Sequence, residues 1–261
     1  PVITAYDPTA GLTSLVGHLF TAGSGITASN IQLQASASQA VNLFSGFGAP
    51  QGQGGLGISD GLLLTTGWAP GLTNSVGWDG ASNGAAGDAD VDAVVNTVFN
   101  TLSYDATSLS FDFSVSDPAA TSISFDLVFG SEEYPEWVDL FVDSAIVLVN
   151  GVNVALFNHD PLAPLSVVSS NLAAGYFQAN DAIGGNPSPF PIEYDGVSQV
   201  LKIVAPIHSG TNTIKIAIAD TGDHILDSGL FIANMSAGST PGSGVVVTPP
   251  TGGTSGNDVC T

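Results

Sequence analysis

Two segments in the middle of the chain set the terms for any fold. In LSFDFSV (109–115), Leu109, Phe111, Phe113 and Val115 occupy every second position, and in SISFDLVF (122–129), Ile123, Phe125, Leu127 and Phe129 do the same. A period of two places all apolar side chains of a strand on one face, so each segment must lay that face on a core. AIVLVNGVNVALF (145–157) reads as a hairpin turning at Asn150-Gly151. VLKIVA (200–205), TIKIAIA (213–219), LFIANM (230–235) and a buried run at 62–66 extend the strand set. Helical spacing is confined to two places. In 7–20, Asp7 suits an N-cap, Pro8 suits the first turn, and Leu12, Leu15, Val16, Leu19 and Phe20 recur at three and four. In 87–99, Val91, Val94, Val95, Val98 and Phe99 make one face behind a cap at Asp88 or Asp90. The expectation is an all-β, mainly antiparallel protein, a β-sandwich or jelly-roll-like fold with one or two short helices.

The chain has 261 residues, 44% of them hydrophobic, enough for one large core. Residues 1–236 read as a single β-rich domain. Residues 237–261 are rich in Gly, Ser, Thr and Pro, a linker composition. Within that tail, 245–248 (VVVT) is a strand-forming peptide, expected to act as a donor strand on a sheet edge. The Gly/Asn/Trp-rich stretch 67–87 reads as a long surface loop, and such loops are often functional.

Charge narrows the partners. Two lysines (Lys202, Lys215), no arginine and 23 acids give a net charge of -21. Nucleic-acid binding needs basic side chains on phosphates, so it is excluded. Attraction to an anionic membrane surface fails for the same reason. No apolar run of the length needed to span a bilayer is present. The one cysteine, Cys260, rules out an intrachain disulfide and a cysteine-based zinc site. A chain that starts with Pro rather than Met suggests a processed, secreted protein. The natural small partner is a hard cation, and Ca2+ takes the oxygen ligands that loop acids supply.

FGSEEYPEW (129–137) carries Glu132, Glu133 and Glu136. A glycosidase needs two carboxylates flanking one bond, and adjacent residues of an extended segment point opposite ways, which fits that poorly. IADTGDHILDSG (218–229) places Asp220, Asp223 and Asp227 around Gly222, a spacing that suits an oxygen cage but not an EF-hand. The expected Ca2+ ligands are Glu132, Glu133, Asp139, Asp220, Asp223 and Asp227, with Asp88 and Asp90 second. Capping of a helix N-terminus competes for the last two, and Asp143 is a further acid downstream. Glu193 and Asp195 in IEYDG (192–196) read as turn residues. His224 reads as a turn-surface histidine. Trp68, Trp78 and Trp137 fall in loops, where aromatic rings can stack on sugars or pack inward. No H-E-x-x-H, G-x-S-x-G, P-loop or dinucleotide fingerprint occurs.

GISDGLLLTTG (57–67), GDADVDA (87–93), LVFGSEEYPEWV (127–138), IEYDG and VLKIVAPIHSGTNTIKIAIADTGDHILDSGLFI (200–232) occur in the order of the choice-of-anchor L domain. Over about residues 10–236 the chain resembles that family of exported bacterial proteins, whose members differ in the C-terminal device that fixes them to the cell. The segment at 139–144 lacks the family's usual phenylalanine-asparagine-aspartate step, and the C-terminus shows no hydrophobic anchor helix. The resemblance implies an extracellular β-rich surface or matrix domain with no established reaction. The resulting expectation is a non-enzymatic, secreted structural protein with calcium-stabilised loops. It would self-assemble with copies of itself into a fibre or matrix layer by strand donation or edge pairing, through 245–248 or PVITAY (1–6). The alternative is a monomeric surface adhesin or glycan-binding module; a glycan-active hydrolase using Glu133 or Glu136 with an Asp ranks below both.

Overall fold

The computed structural model describes residues 1–75, 77, 80–182, 188–242 and 244–247. Fifteen strands, numbered along the chain, form two antiparallel sheets among these residues. The first sheet runs β1 (Val2–Ala5), β3 (Val41–Ser45), β4 (Asp60–Thr65), β14 (Ser228–Gly238), β6 (Ser122–Ser131). Beyond β6, one end carries β11 (Gly196–Ser198) and β10 (Phe177–Ala179), and the other carries β12 (Leu201–Pro206) and β15 (Gly244–Val247). The second sheet runs β2 (Ile26–Gln34), β5 (Ser103–Val115), β13 (Asn212–Thr221), β7 (Ser144–Val149), with β8 (Val152–Asn153) and β9 (Leu165–Ser166) along the far edge of β7.

The alternating residues do what their period requires. Leu109, Phe111 and Phe113 of β5 and Ile214, Ile216 and Ile218 of β13 meet Phe125, Leu127 and Phe129 of β6 and Leu201 and Ile203 of β12 in one buried core between the sheets. The first sheet is also covered outside: Leu63, Val128 and Phe231 pack against Phe44, Phe47, Ile192 and Tyr194. Burial on both faces explains why 62–64 is an unbroken apolar run rather than an alternating one. The expected sandwich is therefore the observed architecture.

Three short α-helices accompany it: α1 (Leu12–Gly17), α2 (Ala89–Phe99) and α3 (Ser169–Ala173). The continuous helix expected over 7–20 is broken. Asp7 caps only a 3-10 turn, Pro8–Ala10, and Gly11 (φ 82, ψ 150) separates that turn from α1. Asp88 caps α2 as expected, its Oδ1 accepting from the N–H groups of Asp90 (2.9 Å) and Val91 (3.3 Å). Val91 and Val95 seat α2 on Ala106, Ile146, Ala217 and Ala219, the outer face of the second sheet, where alanines leave room for a helix.

Both candidate donor peptides pair within their own chain. Residues 2–5 lie on β3. Residues 244–247 lie on the outer edge of β12, with Ile203 opposite Val245 and Leu201 opposite Val247. β14 continues to Gly238, so the sheet does not end at 236. Thr248, Cys260 and Trp78 fall outside the described residues.

Candidate functional site

Strand register gathers the acids at one end of the sandwich. β13 pairs β7 with Ala219 opposite Ser144, which brings Asp220 beside Asp143. β14 pairs β6 with Ser228 opposite Ser131, which brings Asp227 beside Glu132. β13 pairs β5 with Asp220 opposite Tyr104, next to Asp105. Glu133 follows at once, its N–H donating to Ser131 Oγ (3.1 Å) and its carbonyl accepting from Trp137 (3.0 Å). Glu132, Glu133, Asp143, Asp220 and Asp227 are each 2 % exposed or less.

Some of these carboxylates are well supported. Asp143 accepts from the Thr221 N–H (3.2 Å) and the Ser228 hydroxyl (2.6 Å). Asp227 accepts from the N–H groups of Trp68 (2.6 Å) and Ala81 (3.1 Å). Asp105 accepts from the N–H groups of Asn83 and Ala85. Gly67 makes room for this approach, since a Cβ there would sit 2.2 Å from Asp227 Oδ1. Two others are not supported. Both oxygens of Glu133 and of Asp220 lack a hydrogen-bond partner. The Thr66 hydroxyl lies near Asp220 and favours its ionised form without reaching hydrogen-bond geometry.

The electrostatics follow from burial without counter-charge. Burial pushes Glu133 up to about 10, and the charges of Asp143 and Asp223 add to it. Burial pushes Asp143 up to about 8 against its two hydrogen bonds, with Asp223 and Asp227 adding. Asp220 is pushed well up by burial and then by Asp143. Asp223, half-buried, is raised by burial and opposed by the Ile225 N–H and His224. His224 itself is half-buried and packs against Tyr104, ring centres 4.5 Å apart. Neither lysine helps: Lys202 faces Asp126 at 3.5 Å, and Lys215 holds Asp88 (2.7 Å) and Asp90 (2.6 Å).

Of the expected ligands, the structure therefore brings together Glu132, Glu133, Asp220, Asp223 and Asp227. Asp88 and Asp90 belong elsewhere, since a helix start and Lys215 already engage them. Asp139 is exposed, with φ 69, and its Oδ1 accepts from the Ser169 N–H (2.8 Å) at the start of α3. Asp143 and Asp105 complete the cluster in its place. The signal for Asp143 lies in the alternation, as for Asp220: the inward face 149, 147, 145 steps next to Asp143, and 214, 216, 218 steps next to Asp220; Asp105 sits at a bulge of β5, with φ 43, which parity does not mark.

Glu193 is 5 % exposed and more than a turn residue. It accepts from the Ser75 N–H (3.1 Å) and hydroxyl (2.8 Å). With Glu132, Asp227, Trp68, Ala69, Pro70 and Tyr194 it lines a void of about 10 Å³. Asp195 accepts from Asn74 (2.7 Å) and is pushed up to about 6 by burial, opposed by that bond, with Asp181, Glu136 and Glu193 adding. On the other side of the cluster, Glu133 and Asp223 line a 250 Å³ pocket with Trp137, Phe141, Ile225 and Leu226. Among the described residues, no group of three or more His, Cys, Asp or Glu side chains is placed so that it could hold a metal ion as it stands. The donors are all carboxylate oxygens, and Glu133 and Asp220 lack hydrogen-bond partners, a chemistry that suits a hard divalent cation.

A two-sheet sandwich with its acids drawn into loops at one end, and with no described helix long and apolar enough to cross a membrane, defines a β-rich module built around packing rather than around a cleft. The choice-of-anchor L domain matches residues 4–238, and the chain belongs to that family. The family is a surface-protein domain and not a known enzyme family, so this is a domain of an extracellular surface protein. No match is found among curated proteins or among solved structures.

Proposed function

We propose that the domain is a non-catalytic structural module of an extracellular surface or matrix layer, with a divalent cation clamping the loops at one end of its sandwich. The carrying observation is the pair of buried, partnerless carboxylates, Glu133 and Asp220, in a chain whose two lysines are committed elsewhere. A protonated acid would still need an acceptor for its O–H, whereas a cation satisfies several oxygens together. Glu133, Asp143, Asp220 and Asp227 would hold it. Ca2+ suits them best, because it accepts six to eight oxygens in flexible geometry, while Zn2+ favours nitrogen and sulfur. Bound there, it ties the loop after β6 to the β13–β14 turn and to the start of β7. Burial also argues against a hydrolase, since Glu132 and Glu133 are 2 % exposed or less and line different cavities.

Assembly with copies of itself would proceed by edge pairing or by exchange of β15. That strand pairs through only four residues, and a second copy could supply it in the same register. An adhesin reading rests on Trp137 and Phe141, whose rings are 5.8 Å apart in the pocket above Glu133; glycan-array binding by monomeric protein would favour it. The clamp is tested by thermal melting of EDTA-treated protein with and without saturating Ca2+. A native-state ligand at 100 times its Kd adds about 2.7 kcal/mol, so Tm should rise by several degrees. An unchanged Tm would overturn the clamp.

A further inference from the structure

We propose that two copies of the chain join edge to edge along β2, antiparallel and about a two-fold axis, so that their second sheets become one continuous sheet. This rests on the assembly reading above and names for it the strand that pairs. β2 (Ile26–Gln34) is nine residues long and, among the described residues, pairs with β5 alone. Its outer N–H and C=O groups form an open row, a ready template for another strand. The other edge strands are short: four residues in β1 and in β15, three in β10, two in β8 and in β9. Shortness blunts an edge, as do Lys, Pro and charged side chains. β2, with the sequence ITASNIQLQ, has none of these. Its one irregularity is a bulge at Asn30, φ 51, between the pairs Ser29–Asp112 and Gln32–Ser110. Regular strand remains on both sides of it.

Charge identifies the partner as a second copy. The chain carries a net charge of -21, and of its 23 acids all but Asp7 lie at Asp60 or beyond. Residues 8–59 contain no Asp, Glu, Lys or Arg. They supply β2, β3 and α1, and α1 packs against β2. Two copies meeting through acid-bearing surfaces would repel each other. Along β2 they bring a neutral strand against a neutral strand. Thr27 and Gln32 are among its exposed side chains, and Ile26, Ala28, Ile31 and Leu33 form the opposite face. Asp112, opposite Ser29, is one strand further in, and its carboxylate accepts from Asn30 Nδ2 (2.6 Å). The four apolar side chains pack against the core yet stay half-buried, since no described strand covers their outer side. A second β2 would extend the core face across the axis and complete that burial. Pairing a strand with its own copy is isologous and closes as a dimer, so a longer assembly needs a second contact elsewhere.

The test is sedimentation of the whole chain against concentration, up to about 1 mM, with and without Thr27→Glu/Gln32→Glu. Both side chains are exposed, one on each side of the bulge, so the fold should survive the change. The unsubstituted chain should double in mass with concentration. The double variant should stay monomeric at low salt and regain affinity at about 1 M salt, where the screening length falls to about 3 Å. Leu140→Glu/Leu162→Glu adds the same charge at two exposed loop positions and should associate as the unsubstituted chain does. Amide exchange is the second measurement: protection over 26–34 should rise with concentration, and it decides the matter should the variant not fold. Association that persists in Thr27→Glu/Gln32→Glu, or protection of 26–34 that ignores concentration while the mass doubles, overturns the β2 joint and leaves assembly through another edge standing. Equal weakening by both double variants reduces the effect to net charge and also overturns the joint. Monomers at every concentration overturn the assembly reading with it.

Discussion

Glu133 carries most of the site's peculiarity. A carboxylate 1 % exposed with no partner is costly when ionised. In metal-free protein, Glu133→Gln should therefore stabilise the fold, by about 1–3 kcal/mol, and in the same variant the rise in Tm on adding Ca2+ should shrink. Calorimetry in EDTA and in Ca2+ reads both. Destabilisation in EDTA would contradict this account. Asp88 is the contrast. It caps α2 and pairs with Lys215, so Asp88→Ala should cost about 1–2 kcal/mol by the same amount in EDTA and in Ca2+. A calcium-dependent cost would return Asp88 to the ligand set. The pH response of metal-free protein follows from the sign of the shifts. Glu133 and Asp143 bind protons more tightly folded than unfolded, with folded values of about 10 and about 8. Native protein thus holds more protons from about pH 4 upward, and stability falls as pH rises through that window. Saturating Ca2+ should flatten or reverse this fall. Tm measured across pH 5–8 in EDTA and in Ca2+ checks it.

Strands were more legible than helices, for a physical reason. Along the regular parts of β5, β6 and β13 each side chain's face is set by parity, and Leu109, Phe111 and Phe113, like Ile214, Ile216 and Ile218, point inward. Over 7–20 the apolar spacing is helical, yet one glycine at φ 82 ends the run. α3 has five residues, no side-chain cap and one buried residue, Asn171, so it leaves no periodic trace; its surroundings place it. The tail peptide was legible as a strand but not in its partner, because Val245 is buried by β12 and a core assembled from distant parts of the chain. Truncation after Gly238 should lower Tm, at a cost of about 2–3 kcal/mol for the buried valine and lost pairing, and should bare the β12 edge. Light scattering of both forms reads the consequence. Association on truncation identifies β15 as a guard on that edge, whereas polymers of the intact chain that vanish on truncation identify it as the joint.

For the whole molecule, composition and local pattern already determined a great deal. Two lysines against 23 acids argue against phosphate-backbone partners and motivate the cation proposal. Alternation and turn signals required an antiparallel sandwich, because parity is a local property of a strand. Even the acids at the strand ends were marked, as the next inward steps of apolar faces. Which of them meet was not marked. Asp143 and Asp220 are far apart in sequence, and their contact depends on Ala219 lying opposite Ser144; a one-residue slip would send them to opposite faces. Glu193 reaches the cluster through Ser75 and a loop around Trp68, a path with no period at all. Burial is also a collective property: Asp139 and Asp143 are the same residue type four positions apart, one exposed and one 0 % exposed. The sheets and the excess of acids over bases are local and additive, and so readable along the chain. The convergence of the carboxylates belongs to strand order and register, which exist only once the two sheets have closed on each other.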